Sequence, residues 1–240
     1  MIDLQSVQNF FKWAEIEKDG IIELNFIRKD KSTLKSFWHN SNLIIDEWGN
    51  GKPIDGLLCV GVNPRSEGKT AHDKDIQIYK NLYIDIEPIH APGTNVTDSE
   101  REACYEFANT IMNGFTVGGL WSKIVQAESG NGMHLLIAIP PYNNPTEFGN
   151  KMQTFYKTVL LPTSKSAPYH DKCRIDSTFS PSRQVKLYGT KKPIEGARLS
   201  SFPAVERVES PEFRDYILSF PEKVSKKVNV DLDLRGNTLT

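Results

Sequence analysis

The stretch Leu82-Tyr83-Ile84-Asp85-Ile86-Glu87-Pro88 constrains this chain more than any other. Its alternation of apolar and polar residues is that of a β-strand, and the proline closes it because proline has no N–H to give to a ladder. With a side-chain period of two, Leu82, Ile84 and Ile86 share one face, and Tyr83, Asp85 and Glu87 share the other. The two carboxylates then stand about 6–7 Å apart along the backbone. On a buried strand such a pair repels unless a cation lies between, and a divalent metal ion is the usual one. On an exposed strand the same face simply meets water. The rest of the chain has to decide between these two readings.

A length of 240 residues allows one large domain or two small ones with an ample core. The net charge of -1 gives no global sign of a nucleic-acid partner, although a local basic groove can coexist with an acidic metal site. No apolar run approaches the roughly 18 residues needed to span a bilayer, and the polar N-terminus lacks a signal-peptide pattern. Cys59, Cys104 and Cys173 are widely spaced, with no disulfide framework and no CxxC knuckle, which suggests a reducing compartment. A cytoplasmic location is expected, without a membrane partner.

In chain order, the spacing of Leu4, Val7, Phe10, Phe11 and Ala14 predicts a helix over 3–16. A strand over 21–27, a polar linker, a short helix over 42–48, a turn over 49–53 and an apolar strand over 57–62 follow, read together as a β-α-β unit. Residues 63–81 form a polar loop leading to the acidic strand. Thr97 and Glu100 make a capping box for a helix ending at Asn113-Gly114. Strands over 121–128 and 133–140 are joined as a hairpin by Ser129-Gly130-Asn131-Gly132. Asn144-Pro145 opens a helix that ends before Pro162; a polar loop over 163–172, extended segments at 174–176 and 183–190, and a helix over 210–220 complete the pattern. The order from residue 82 is β-α-β-β-α-β, the split β-α-β arrangement of ferredoxin-like and RNA-recognition-type (RRM-like) sheets. The expected fold is therefore α/β (α+β): an RRM-like catalytic sheet over 81–220 packed with a smaller N-terminal α/β layer over 1–80, and a polar tail or linker over 221–240.

Three constellations carry candidate chemistry. Asp85 and Glu87 are the first. In the second, Gly130 and Gly132 expose backbone N–H groups that could meet phosphate oxygens, next to Ser129 and His134; most such turns are plain hairpins. The third is Asp176 followed by Arg183 and Lys186, a basic pair that could line a polyphosphate groove or form a solvated edge. Together they supply the parts of nucleotidyl transfer, in which carboxylates hold two Mg²⁺ or Mn²⁺ ions and cations hold a triphosphate.

The ordered set Tyr83-Ile84-Asp85-Ile86-Glu87, Ser129-Gly130-Asn131-Gly132-Met133-His134, Asp176 and Pro181-Ser182-Arg183-Gln184-Val185-Lys186-Leu187-Tyr188-Gly189-Thr190 resembles the archaeo-eukaryotic primase superfamily. The likeness is to the primase-polymerase domains of phages, plasmids and mobile elements, and it covers roughly residues 20–195. It implies a metal-dependent DNA primase/polymerase acting on single-stranded DNA template and primer with dNTP or NTP, replicon-associated and often joined to a helical priming module or a helicase. Asp85, Glu87 and Asp176 would be the metal ligands. His134, with Ser129, Gly130 and Gly132 nearby, would contact the nucleotide's phosphates. Arg183 and Lys186 would grip the triphosphate or template side, with Arg65 a further candidate for the same pocket; the sequence does not say whether dNTP or NTP is preferred, Tyr188 and Tyr83 being the candidates for discrimination at the sugar 2′ position. Two departures stand out: Glu87 replaces the commoner Asp, and the relatives' zinc element is not visible, His170 and Cys173 supplying only two of four ligands. The alternatives are a catalytically idle single-strand-binding replication module and a metal-dependent initiator nuclease, the latter opposed by the lack of a His-x-His pair.

Overall fold

The computed structural model describes residues 2–50, 54–66, 72–91, 94–117, 124–176 and 179–222. Parts of the expected 49–53 turn, the 121–128 strand and the C-terminal tail lie outside these residues. Helix α1 (Leu4–Ala14) starts where the Asp3 carboxylate accepts the N–H groups of Gln5 and Ser6, and it buries the Val7, Phe10, Phe11 and Ala14 stripe that its spacing predicts. Strands β1 (Ile22–Arg28) and β2 (Thr33–Trp38) form an antiparallel hairpin. The sequence reads β2 as linker because Thr33, Leu34, Lys35 and Phe37 are all exposed, so no face of it carries a burial alternation. Helix α2 (Ser41–Trp48), capped by Asn40, leads to β3 (Gly56–Gly61), which pairs antiparallel with β1. The expected β-α-β unit is thus a hairpin, a helix and an antiparallel strand.

Strand β4 (Tyr79–Pro88) carries the acidic stretch. Helix α3 (Asp98–Val117) opens on the anticipated capping box, Thr97 N–H donating to Glu100 Oε2 at 2.8 Å and Glu100 N–H to Thr97 Oγ1 at 3.3 Å. It runs past Gly114 because an interior glycine costs only about 1 kcal/mol relative to alanine. Strands β5 (Val125–Glu128) and β6 (Met133–Tyr142) form the expected hairpin. Helix α4 (Pro145–Phe155) continues through a π-turn into α5 (Leu161–Ser166), where Pro162 sits in the first turn and needs no N–H partner. Strands β7 (Cys173–Ile175) and β8 (Gln184–Lys186) and helix α6 (Pro211–Leu218) complete the order.

These elements form a mixed α/β architecture with two antiparallel four-stranded sheets, ordered β2-β1-β3-β8 and β5-β6-β4-β7. β8, from the C-terminal half, completes the sheet begun by the N-terminal half. The second sheet is covered on both faces. Leu82, Ile84 and Ile86 pack with Leu135, Ile137 and the inner faces of α3, α4 and α6. Tyr83, Leu136 and Ala138 face the opposite way, into a core shared with α1, Leu24, Leu58, Val60 and Tyr188. Double coverage is why β6 reads as an almost unbroken apolar run. Among the described residues no helix is long and apolar enough to cross a membrane.

A buried ion pair ties the two halves of the first sheet. Glu23 of β1 and Arg65 both have fully buried side chains, 2.7 Å apart, and Arg65 also donates to the Ser182 carbonyl at 2.6 Å, just before β8. Removing one member of such a pair strands the other charge at a cost of about 3–5 kcal/mol, whereas replacing both by apolar residues is near neutral. Glu23→Ala should therefore lower the melting temperature by roughly 6–20 °C, and the double change Glu23→Leu with Arg65→Met should recover most of that loss in a thermal denaturation scan.

Candidate metal and anion centre

The two sheets leave a cleft at the Pro88 end of β4. Its cavity, about 370 Å³, is lined by Asp85, Glu87, His134, Ser129 and Asn131 from the second sheet and its turn, and by Leu57, Cys59, Gln184 and Lys186 from the first. Two neighbouring strands place the acids. Asp85 and Glu87 project from one face of β4, and Asp176 follows β7, its N–H donating to the Asp85 carbonyl at 2.9 Å. The antiparallel pairing of Ile86 with Ile175 brings these segments side by side. One oxygen from each of Asp85, Glu87 and Asp176 lies within 4.8 Å of the others.

That spacing suits a metal. Oxygens on opposite sides of an ion at about 2.1–2.5 Å stand about 4–5 Å apart, and an all-carboxylate set is the donor chemistry of hard divalent cations. The acidic triad can therefore hold a metal ion. Each acid also has its own basic neighbour. His134 Nε2 lies 3.5 Å from Asp85 Oδ1, Arg174 donates to Glu87 at 3.2 Å, and Arg183 pairs with Asp176. Register explains two of these contacts, since His134 is paired with Asp85 across β4 and β6, and Arg174 with Glu87 across β4 and β7.

His134 is itself held from behind. Its Nδ1 lies 2.6 Å from the Tyr188 hydroxyl, and both side chains are buried. Burial pushes the Tyr188 phenol well above its usual value of 10, so it stays protonated. A carboxylate only accepts hydrogen bonds, so the ring nitrogen facing Asp85 is the one placed to donate, while the Tyr188 hydroxyl fixes the ring from its Nδ1 side. Neither Tyr188 nor Tyr83 lines the cavity: Tyr188 is fully buried on His134, and Tyr83 is buried with its O–H donating to the Gln184 carbonyl at 3.4 Å.

The glycine turn is organised inward. Ser129 Oγ accepts the N–H of Gly132 at 2.9 Å and of Asn131 at 3.4 Å, so these amides close the turn instead of facing a phosphate. Gly132 is required by packing, because a Cβ there would stand 2.1 Å from the Ile86 carbonyl oxygen. Gly130, at φ +86°, leaves room for the Lys186 ammonium, which a Cβ would meet at 2.7 Å.

Of the expected basic residues, Lys186 lines the cavity, Arg183 is turned onto Asp176, and Arg65 is spent on Glu23. Lys192, Arg174 and Tyr188 join the site without having been assigned these contacts from the sequence. Their contacts depend on strand register and on the 189–192 turn, neither of which has a local sequence signature. Burial draws the Lys186 ammonium down from 10.5 to about 8, with Lys192 adding repulsion and Asp85 opposing it.

Because the folded value lies below the unfolded one, the unfolded chain binds more protons between about pH 8 and 10.5, so stability gains as pH rises through that window. Anion binding runs the opposite way, since it needs the charged form. Affinity for inorganic tripolyphosphate, measured by calorimetry, should fall several-fold as pH rises from 7 to 9. Lys186→Arg, which stays charged, should flatten that profile. Tyr188→Phe should leave the fold intact, cost about 1 kcal/mol of stability in denaturant titration, and weaken Mn²⁺ binding several-fold because Asp85 loses its oriented neighbour. Comparison with known proteins yields no matching family model and no matching curated protein.

Proposed function

We propose that this protein is a template-dependent nucleotidyltransferase, a DNA primase/polymerase of the archaeo-eukaryotic primase superfamily, that starts or extends chains on single-stranded DNA in the replication of a mobile element. The observation that carries this reading is the convergence of Asp85, Glu87 and Asp176, the first two lining a cleft whose other side presents Lys186. Metal-type acids and an ammonium with no carboxylate partner among the described residues meet the two needs of a nucleotide triphosphate, an ion at the reacting phosphate and a cation on the tail. The strand order β5-β6-β4-β7, with α3 and α4 packed on one face, supports reading residues 81–220 as an RRM-like split β-α-β module.

Asp85, Glu87 and Asp176 hold Mg²⁺ or Mn²⁺. The chemistry these ions supply when bound is charge neutralisation at the α-phosphate and activation of the 3′-hydroxyl. The chain's own residues position the reactants. Lys186 and Lys192 bind the triphosphate tail. His134 keeps its Nε2–H at the edge of the cavity, where it steadies Asp85 and is the ring atom presented to the phosphates. Arg183 and Arg174 hold Asp176 and Glu87 in place, so that little reorganisation is needed when the nucleotide arrives. Glu87 is longer than the Asp common in the family, and its carboxylate reaches out to Arg174 at the cleft rim.

Primer extension on a single-stranded template with Mg²⁺ or Mn²⁺ tests the reading. Asp85→Ala and Asp176→Ala should each lower incorporation by about 100-fold or more while leaving template binding intact. A wild-type protein that incorporates no nucleotide on primed or unprimed templates with either metal would overturn it.

A further inference from the structure

The face of the first sheet that lines the cleft does not end there. Register carries it outward, because residues directly paired across strands project to the same side. Lys186 of β8 pairs with Cys59 of β3, Cys59 with Asn25 of β1, and Asn25 with Lys35 of β2. The neighbouring row runs from Leu57 through Ile27 to Thr33. Gly61 lacks a side chain, and across that gap Asn25 donates to Gln184 at 2.6 Å, joining the inner and outer parts of the face. The outer end is open: Lys35 is exposed, and Phe37, on the same side of β2, is 37% exposed.

The charge on this face is one-sided. Glu23 is the only carboxylate carried by the four strands, and Arg65 neutralises it in full burial. What remains is Lys186 inside the cleft and Lys35 outside it, three strand spacings or about 14 Å apart, with an exposed aromatic ring at the outer end.

Resting on the nucleotidyltransferase reading, we infer that the β1–β2 face is a track for single-stranded nucleic acid, along which the strand held at the cleft continues to Phe37 and Lys35. A strand bound without sequence preference needs cations for its phosphates and an aromatic face on which a base can stack, and this face offers both in line with the cleft. Cys59 and the buried Asn25, its amide held by Gln184, lie between Lys186 and Lys35, and Thr33 flanks Lys35 on the exposed edge strand. The edge position of β2 leaves the far end unobstructed.

Fluorescence anisotropy with labelled oligo(dT) tests the track, beside Mn²⁺-dependent dNTP binding measured on the same proteins. Phe37→Ala should weaken oligonucleotide binding by about fivefold or more, and Lys35→Glu should weaken it and flatten its salt dependence by about one phosphate contact. Leu34→Ala, on the opposite face of the same strand, should bind like wild type, and dNTP binding should be unchanged in all three. If Phe37→Ala and Lys35→Glu bind oligo(dT) as wild type does, while wild type incorporates nucleotide, the track is wrong and the enzymatic reading stands. If Leu34→Ala is as damaging as Phe37→Ala, β2 acts through its edge or fold and the inference is again overturned. If wild type neither binds oligo(dT) nor incorporates nucleotide, the enzymatic reading falls and takes the track with it.

Discussion

Repulsion among three carboxylates is the constraint around which the site is built. At 4.8 Å, two such charges repel by about 3 kcal/mol at an effective dielectric near 20. A fold that brings Asp85, Glu87 and Asp176 this close therefore needs a cation or an N–H group at each one, and it supplies Arg183 to Asp176, Arg174 to Glu87 and the ring edge of His134 to Asp85. These partners come from three different segments. The N-terminal end of β6, β7 and the loop before β8 must all be in register with β4 before the acids can be tolerated side by side. The arrangement leaves room for a divalent ion, because carboxylates that already hold one basic partner keep further lone pairs for a metal.

The cleft exists because the two sheets share a core along only part of their length. Tyr83, two residues before Asp85 on the same face of β4, is buried against the α1 core, while Asp85 and Glu87 lie beyond it and face the cavity. One face of one strand thus passes from core to site within a single pleat repeat. β8 makes this possible by joining the first sheet and placing Lys186 opposite the acids, and the Arg65–Glu23 pair anchors the segment leading into it. Behind the site, Tyr188 connects the aromatic core around Phe10 and Phe202 to His134, so that the packing of α1 reaches Asp85 through two polar side chains.

Much of the fold was legible where local chemistry is strong. The capping residues Thr97 and Asn144, the apolar stripes of α1, α3 and α4, and the hairpin at 129–132 all have signatures within a few residues, as do the caps Asp3 and Asn40, which the sequence reading did not single out. β2 was missed because an exposed edge strand has no burial alternation, and the π-turn before Pro162 because nothing local distinguishes it from a helix end. Within the site, the triad was legible from its residue types. Arg65 was misplaced because a buried structural arginine and a pocket arginine look alike in a sequence, and Gly130 and Gly132 turned out to provide space for Lys186 and the Ile86 carbonyl. Arg183 and Lys186, read as one basic pair, serve different partners, Asp176 and the cleft.

By itself, the sequence determined that a strand would carry two acids on one face, that most helices would start where they do, and that Asp85, Glu87, His134 and Asp176 were the residues to bring together. Those properties follow from side-chain chemistry and short periodicities. The tertiary structure alone decided which basic residue each acid would meet, that Tyr188 would set the orientation of His134, and that Lys186 would face the acids across the cleft. Such facts depend on register between strands that are distant in the chain, where a shift of one residue would turn every side chain to the other face.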